Sequence, residues 1–497
     1  MVSSSASSGP LALVLLLSIS SSIAHGAGAG AGGDEERRQR FTVVQTSHLQ
    51  PQSICSGLKV IPSGNRTWVP LHRPYSPCSP SSSPSPPPSL LEILQWDQFR
   101  TASVRRRAMS DDDDVVEYPD TPHVEVQQID FGLQAPFGYG SVAAAGGSRR
   151  LMADGDPTSQ TMAIDTTIDV PWIQCRPCPI PQCYPQRDAL FDPTRSSTAA
   201  PVPCGSRACR ALGNYGNGCS RRSLRRSSNN SSRSDCNYRV AYSDGRATSG
   251  TYMTDTLTIS PGITFPNFRF GCSHSVRGRF SGQTSGTMSL GGGRQSLRSQ
   301  TASAYGDAFS YCVPQPSASG FLSLGGAIGS SGSGSGFAST PLVATANPTF
   351  YVVRLQGIDV AGRRLNVPPA VFSAGTLMDS SAVVTQLPPT AYRALRRAFR
   401  NAMRRYRRVP AGGKQILDTC YDFEGLGNVT VPAVSLVFSG GAVVRLEPMA
   451  VMMEGCLAFV PTPADSDLGF IGNVQQQTHE VLYDVGARNV GFRRGAC

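Results

Sequence analysis

From about residue 155 onward, apolar residues come in short runs separated by Gly, Pro, Asn and Ser. Examples are Tyr238–Tyr242, Gly250–Ile259, Phe265–Gly271, Phe309–Val313 and Phe350–Leu355. Runs of this length, bounded by turn residues and rich in aromatic and β-branched side chains, predict strands, so the chain reads as mainly β. Two stretches break the pattern. Residues 90–100 predict a short amphipathic helix, and residues 389–406 a longer one with Leu395, Ala398, Phe399, Ala402, Met403 and Tyr406 on one face. Thr390 is placed to cap the longer helix, and Arg396, Arg397, Arg400, Arg404 and Arg405 fall mainly on its other side, as a solvated face of a docked helix does.

One further apolar run, residues 11–24, is too short to span a bilayer comfortably and is followed by small residues. It predicts a secretory signal peptide over residues 1–26, although no Lys or Arg precedes it. No other stretch is long and apolar enough to predict a membrane span. Residues 27–125 predict a propeptide or linker, with a Ser/Pro segment at 79–89, a basic cluster at Arg105–Arg107 and an acidic one at Asp111–Asp114 that together suggest an exposed processing site. The Gly/Ser run at 329–336 divides the remainder into a lobe over 150–330 and another over 345–497.

Composition sharpens this. The chain has 497 residues, too many for one core, and 51 Gly with 38 Pro favour a turn-rich β protein. Fourteen cysteines, eight of them between Cys175 and Cys272, point to disulfides in a secreted product, with vacuole or plastid as alternative compartments. Cys55 and Cys78 can bridge within the leader. Cys175, Cys178 and Cys183 could instead suggest zinc, but in an oxidising compartment disulfides are preferred, and no metal or cofactor is expected. Sequons stand at Asn65, Asn229, Asn230 and Asn428. The net charge of +11 is spread over separate Arg clusters without interleaved aromatics or a binding module, so a nucleic-acid partner is not expected.

The candidate chemistry lies in two similar stretches. Met162–Gln174 contains Asp165-Thr166-Thr167, and Gly375–Val384 contains Asp379-Ser380-Ser381. Each is an apolar strand, an Asp, a small hydroxyl residue and a second apolar run. Asp-Thr and Asp-Ser are also common turn dipeptides. Two such loops, one per half, are nevertheless what a paired-carboxylate site built by duplication requires. The chain has neither a HExxH motif nor a G-x-S-x-G elbow.

From about 155 to 497 the chain resembles the pepsin-like aspartic proteases, specifically the plant nepenthesin-type branch. The resemblance rests on Trp172-Ile-Gln-Cys175 and its Cys-rich continuation, Phe191–Thr198, Val202–Cys204, Tyr242–Gly250, Gln356–Ile358, Pro368–Phe372, Thr419–Phe423 and Gly469–Gln477. The leader, with Pro77–Pro80 and Leu90–Arg107, resembles that branch's propeptide. The resemblance implies a bilobal, mainly β fold with a cleft between the lobes, and Asp165 and Asp379 as the catalytic pair. It also implies Thr166 and Ser380 as residues bracing the two loops, and Tyr242 as a flap residue over substrate. It implies a monomeric endopeptidase acting on polypeptide, made as a zymogen.

The loops depart from the family's Asp-Thr/Ser-Gly-Ser/Thr. The positions after the braces are Thr167-Ile168 and Ser381-Ala382. Ile168 and Ala382 lack the hydroxyl that hydrogen-bonds each Asp, and losing it is expected to impair the site. The flap reads Tyr242-Ser-Asp-Gly-Arg246, and the usual N-terminal strand before the first loop is replaced by Ser148–Pro157 and is expected to be missing or displaced. The alternative these departures support is a weak or inactive homologue that binds a protein or inhibits.

Overall fold

The computed structural model describes residues 40–49, 54–57, 67–79, 87–109, 132–141, 157–221, 234–326 except 243, 244, 279, 281 and 316, 336–409, and 416–497 except 496. The signal peptide, Asp111–Asp114, the Gly/Ser run up to residue 335 and the sequons at Asn65, Asn229 and Asn230 lie outside the described residues. Asn428 is exposed at the start of the Asn428–Pro432 strand.

The fold is mainly β, and the two halves repeat one small motif. In the first half the Thr158–Asp165 strand pairs in parallel with Gly286–Ser289, which pairs antiparallel with Trp172–Gln174. In the second half Thr376–Met378 pairs in parallel with Gly469–Ile471, and that strand pairs antiparallel with Thr385–Leu387. Each Asp therefore follows, or ends, a strand held from the side by a later parallel partner. Gly286 is required at the first crossing, because a Cβ there would sit 1.9 Å from the Trp172 carbonyl oxygen.

Around these motifs stand a nine-stranded sheet in the first half and a five-stranded one in the second. A six-stranded sheet joins them, taking strands from the first half (Ala308–Cys312, Gly320–Leu324), the second half (His479–Asp484, Asn489–Arg494) and the leader (Thr67–Leu71). Phe309, Tyr311, Tyr351 and Tyr483 pack together there, fully or almost fully buried.

The N-terminal strand is displaced upstream rather than missing. Leu133–Tyr139 pairs antiparallel with Thr158–Asp165, with Leu133 opposite Ile164 and Tyr139 opposite Thr158. Its inward residues Leu133, Ala135, Phe137 and Tyr139 are buried, so the alternation required of a half-buried strand is met by a segment far from the expected place.

The helix expected over 389–406 forms at Pro389–Ala402, burying Ala391, Tyr392, Leu395 and Phe399. Thr390 does not cap it. Thr390 lies inside the first turn, and its N–H and hydroxyl both donate to the Asp465 carboxylate, which serves as the cap from another loop. Arg396 and Arg400 reach Asp418.

All fourteen cysteines pair, as Cys55–Cys78, Cys175–Cys272, Cys178–Cys183, Cys204–Cys219, Cys209–Cys236, Cys312–Cys497 and Cys420–Cys456. The disulfide expectation for Cys175, Cys178 and Cys183 is thus met. Among the described residues no helix is long and apolar enough to cross a membrane.

Candidate active site

Asp165 and Asp379 come together from the two halves. The hydroxyl residues beside them lock the loops reciprocally. Ser380 N–H donates to Thr166 Oγ1 at 3.1 Å, and Thr166 N–H donates to Ser380 Oγ at 3.3 Å. Ser380 Oγ also lies 3.3 Å from the Ile164 carbonyl, and Ser381 Oγ donates to the same carbonyl at 3.3 Å. Both bracing residues are fully buried, so these bonds form away from competing water.

The altered third and fourth positions behave differently in the two loops. Thr167 donates to Asp165 Oδ1 twice, from its N–H at 2.7 Å and from its hydroxyl at 2.7 Å. The hydroxyl expected to be lost at Ile168 is thus supplied one residue earlier, and the expected loss is corrected for this loop. In the second loop Asp379 Oδ1 accepts from the N–H groups of Ser381 (2.8 Å) and Ala382 (3.1 Å). Ser381 turns its hydroxyl to the opposite loop, so no side-chain hydroxyl of its own loop reaches Asp379 among the described residues. The Asp379 backbone is held by Gln476 Nε2, which donates to its carbonyl at 3.0 Å.

Tyr242 stands at the turn between the Ser234–Ala241 and Ala247–Ser260 strands. Its hydroxyl accepts from Trp172 Nε1 at 2.9 Å. Burial pushes its phenol above the ordinary value. Arg246, where the branch has Ser, lays its guanidinium 4.7 Å from the ring centres of both Tyr242 and Phe280.

A feature that sequence reasoning missed dominates the site. The leader helix runs over Leu90–Met109, nine residues beyond the expected end, and lies across the pair. A capping box starts it: Ser89 N–H donates to Glu92, and Glu92 N–H to Ser89 Oγ. Ile93, Leu94, Trp96 and Val104 are buried, each contributing roughly 1.5–3 kcal/mol to docking as an upper estimate. Arg100 Nη1 donates to Asp379 Oδ2 at 2.7 Å. Arg100 Nη2 lies 3.3 Å from Asp379 Oδ1, 3.4 Å from Asp165 Oδ2 and 3.3 Å from Thr167 Oγ1. One guanidinium therefore bridges both carboxylates. Burial pushes the Asp165 carboxyl up, but the Arg100 charge beside it and the two Thr167 donors outweigh burial and hold it below the ordinary value.

The rest of the helix is fixed by polar contacts. The Asp97 carboxylate accepts from the N–H groups of Val383 (2.9 Å) and Val384 (3.3 Å), just past the second loop. Burial pushes its carboxyl up to about 7, against those two donors and Arg100. Arg107 Nη2 donates to the Thr167 carbonyl at 2.7 Å, and Arg105 is buried. The basic cluster thus lies largely inside the cleft rather than in an exposed stretch. In the sequence Asp97, Arg100 and Arg105 are one acidic and two basic residues within or just past the expected helix, and no local pattern marks them as buried.

Comparisons with known proteins bear on the family and the fold. Two protein-family models match, described as xylanase inhibitor N-terminal over residues 151–326 and xylanase inhibitor C-terminal over residues 350–494. An aspartyl protease family protein of Arabidopsis thaliana is 33% identical over 475 residues, covering 93% of this chain and 94% of that protein. The aspartic proteinase nepenthesin-2 of Nepenthes gracilis is 33% identical over 392 residues, covering 75% of this chain and 83% of the relative. Among solved structures, basic 7S globulin from soybean shares the fold, with a TM-score of 0.54, 20% identity, and coverage of 73% of this chain and 91% of that one. With paired Asp loops in a duplicated strand motif and relatives of this similarity, the chain belongs to the pepsin-like aspartic protease family, alongside the nepenthesins and their plant relatives.

Proposed function

We propose that the chain is the zymogen of an aspartic endopeptidase that hydrolyses peptide bonds through Asp165 and Asp379. The observation that carries this reading is the Arg100 bridge. A single guanidinium reaching a carboxylate from each half requires that the two groups face one point in space, where a water and a scissile carbonyl would lie once the helix leaves. Two carboxylates held this close share one proton, because both cannot ionise freely without a counterion. The ionised one takes a proton from water as that water attacks the carbonyl carbon. The other donates its proton to the carbonyl oxygen, and reversal of the roles protonates the departing amine. Thr166 and Ser380 fix the loops, and Tyr242 closes over the substrate from the flap. In the latched state Arg100 replaces the shared proton and the helix excludes the peptide.

The seven disulfides support a secretory route, and the leader's position supports a propeptide that must be displaced. The test is cleavage of a denatured protein by the acid-treated full chain, with Asp165→Asn and Asp379→Asn as controls. Activity lost in both variants supports the reading, and activity unaffected by either refutes it.

The second loop favours a second reading. Asp379 has no hydroxyl donor from its own loop, and both matching family models carry the name of an inhibitor. On this reading the fold is retained as a weak or inactive homologue that binds another protein. Leader release without any turnover, together with saturable binding of a protein ligand, would favour it.

A further inference from the structure

We infer that the cleft contains a subsite for a guanidinium side chain, built by Gln386, the Leu468 carbonyl and the face of Phe470, and occupied in the latched chain by Arg105. The inference rests on the endopeptidase reading for its use in substrate selection, but the pocket itself is defined by contacts. Arg105 Nη2 donates to Gln386 Oε1 at 2.6 Å, and Arg105 Nε donates to the Leu468 carbonyl at 2.9 Å. Its guanidinium carbon stands 5.2 Å from the Phe470 ring centre. Gln386 is 3% exposed and Phe470 fully buried, so this is a built pocket and not a surface contact. Asp467 supplies an attractive opposite charge nearby.

The parts of the pocket belong to the cleft's own frame. Gln386 lies on the Thr385–Leu387 strand that leaves the second Asp loop, and Phe470 on the adjacent Gly469–Ile471 strand. In the latched chain the other end of the Gln386 amide is held by the helix itself, Nε2 donating to Thr101 Oγ1 at 2.6 Å, so it is the strand position of Gln386 and not this bond that stays with the cleft. When the helix departs, an acceptor oxygen, a carbonyl and an aromatic face remain together. That set offers two hydrogen-bond acceptors and a ring face, which suit a planar fork of N–H donors better than a compact ammonium.

The distance places the subsite near the scissile bond. Arg100 and Arg105 are five residues apart on one helix, about 7.5 Å along its axis. An extended peptide covers that span in about two residues. The geometry therefore points to Arg selection two residues from the cleaved bond, on the side toward which the helix C-terminus runs.

Two arms test this. In the first, full-length chain carrying Arg105→Ala is titrated with n-propylguanidinium and followed by thermal unfolding and calorimetry. A saturable rise in Tm is expected in the variant and not in the unsubstituted chain, with binding about tenfold tighter than for n-propylammonium. Gln386→Glu added to Arg105→Ala is expected to raise the affinity by about a further tenfold, because the acceptor becomes charged. No saturable binding, or equal binding to the unsubstituted chain, overturns the subsite. In the second arm the acid-released chain is given two peptides that differ by Arg or Leu two residues from the cleaved bond. A kcat/KM ratio of at least about ten for Arg, shrinking in Gln386→Leu, supports the subsite, and cleavage without preference overturns its role in selection. No cleavage of either peptide refutes the peptidase reading alone, and the guanidinium titration then still decides the pocket.

Discussion

Replacing Arg100 by methionine keeps an unbranched stem under the helix and removes the one charge that bridges the dyad. Asp379 is fully buried and Asp165 9% exposed, so both carboxylates would be left under the docked helix without that cation. Breaking a buried ion pair from one side costs about 3–5 kcal/mol. At about 1.36 kcal/mol per decade, the docked state should lose roughly two to four decades in its equilibrium constant. The apolar contacts of Ile93, Leu94, Trp96 and Val104 remain and oppose release, so a shift rather than complete loss is expected. Hydrogen exchange at neutral pH measures this directly. Amides of residues 90–109 should exchange about a hundredfold or more faster in Arg100→Met, while amides of the six-stranded sheet keep their protection. Unchanged protection in the helix would refute the argument that the bridge holds the latch.

The remaining predictions concern pH and the altered loops. The Asp165 carboxyl is held low in the docked state, so its contribution to docking is present above the ordinary value of 3.8 and is lost as pH falls through the lowered one. Asp97 acts in the opposite sense. Its carboxyl is raised to about 7 by burial, so its contribution is complete below 3.8 and is lost as pH rises through about 7. Helix protection should therefore be greatest near about pH 4, fall below it as Asp165 is protonated, and fall steadily above it until about pH 7. In Asp97→Asn the decline toward neutral pH should disappear while the acid decline remains, as exchange measured against pH would show. Thr167→Val removes the hydroxyl on Asp165 and should lower kcat/KM by about ten- to a hundredfold and move the acid limb of the pH–rate profile upward, with Thr167→Ser largely restoring both. Ala382→Ser offers Asp379 the hydroxyl its loop lacks and should raise kcat/KM by a few-fold to about tenfold, so an unchanged or lower rate in a folded variant would count against that account.

Much of the fold was legible because it depends on local pattern. The two Asp loops stood out since each needs an apolar strand before it and a second one after, and the duplicated parallel pairing explains why that pattern recurs. What was not legible depended on distance or on side-chain direction. The N-terminal strand was sought next to Pro157 and lies at Leu133–Tyr139, because strand pairing is indifferent to how much chain intervenes. The Thr167 hydroxyl was not expected to replace that of the next residue, since a one-letter pattern does not reveal a rotamer. Asp97 and Arg100 fall within the helix predicted over residues 90–100, whose pattern assigns them no partner. A buried arginine and a solvated one are identical in sequence, and the partners that distinguish them are 65 and 279 residues away for Arg100. Thr390 had the right residue type for a cap, but Pro388 and Asp465 shifted that role elsewhere.

The most direct test of the central claim is the initial rate of peptide hydrolysis by the full chain after acid treatment, measured beside Asp165→Asn and Asp379→Asn. Loss of the paired acid–base function predicts a fall of at least about a thousandfold in either variant, with leader release intact. Hydrolysis that persists in either variant, or a released and folded chain that hydrolyses nothing, would contradict the account.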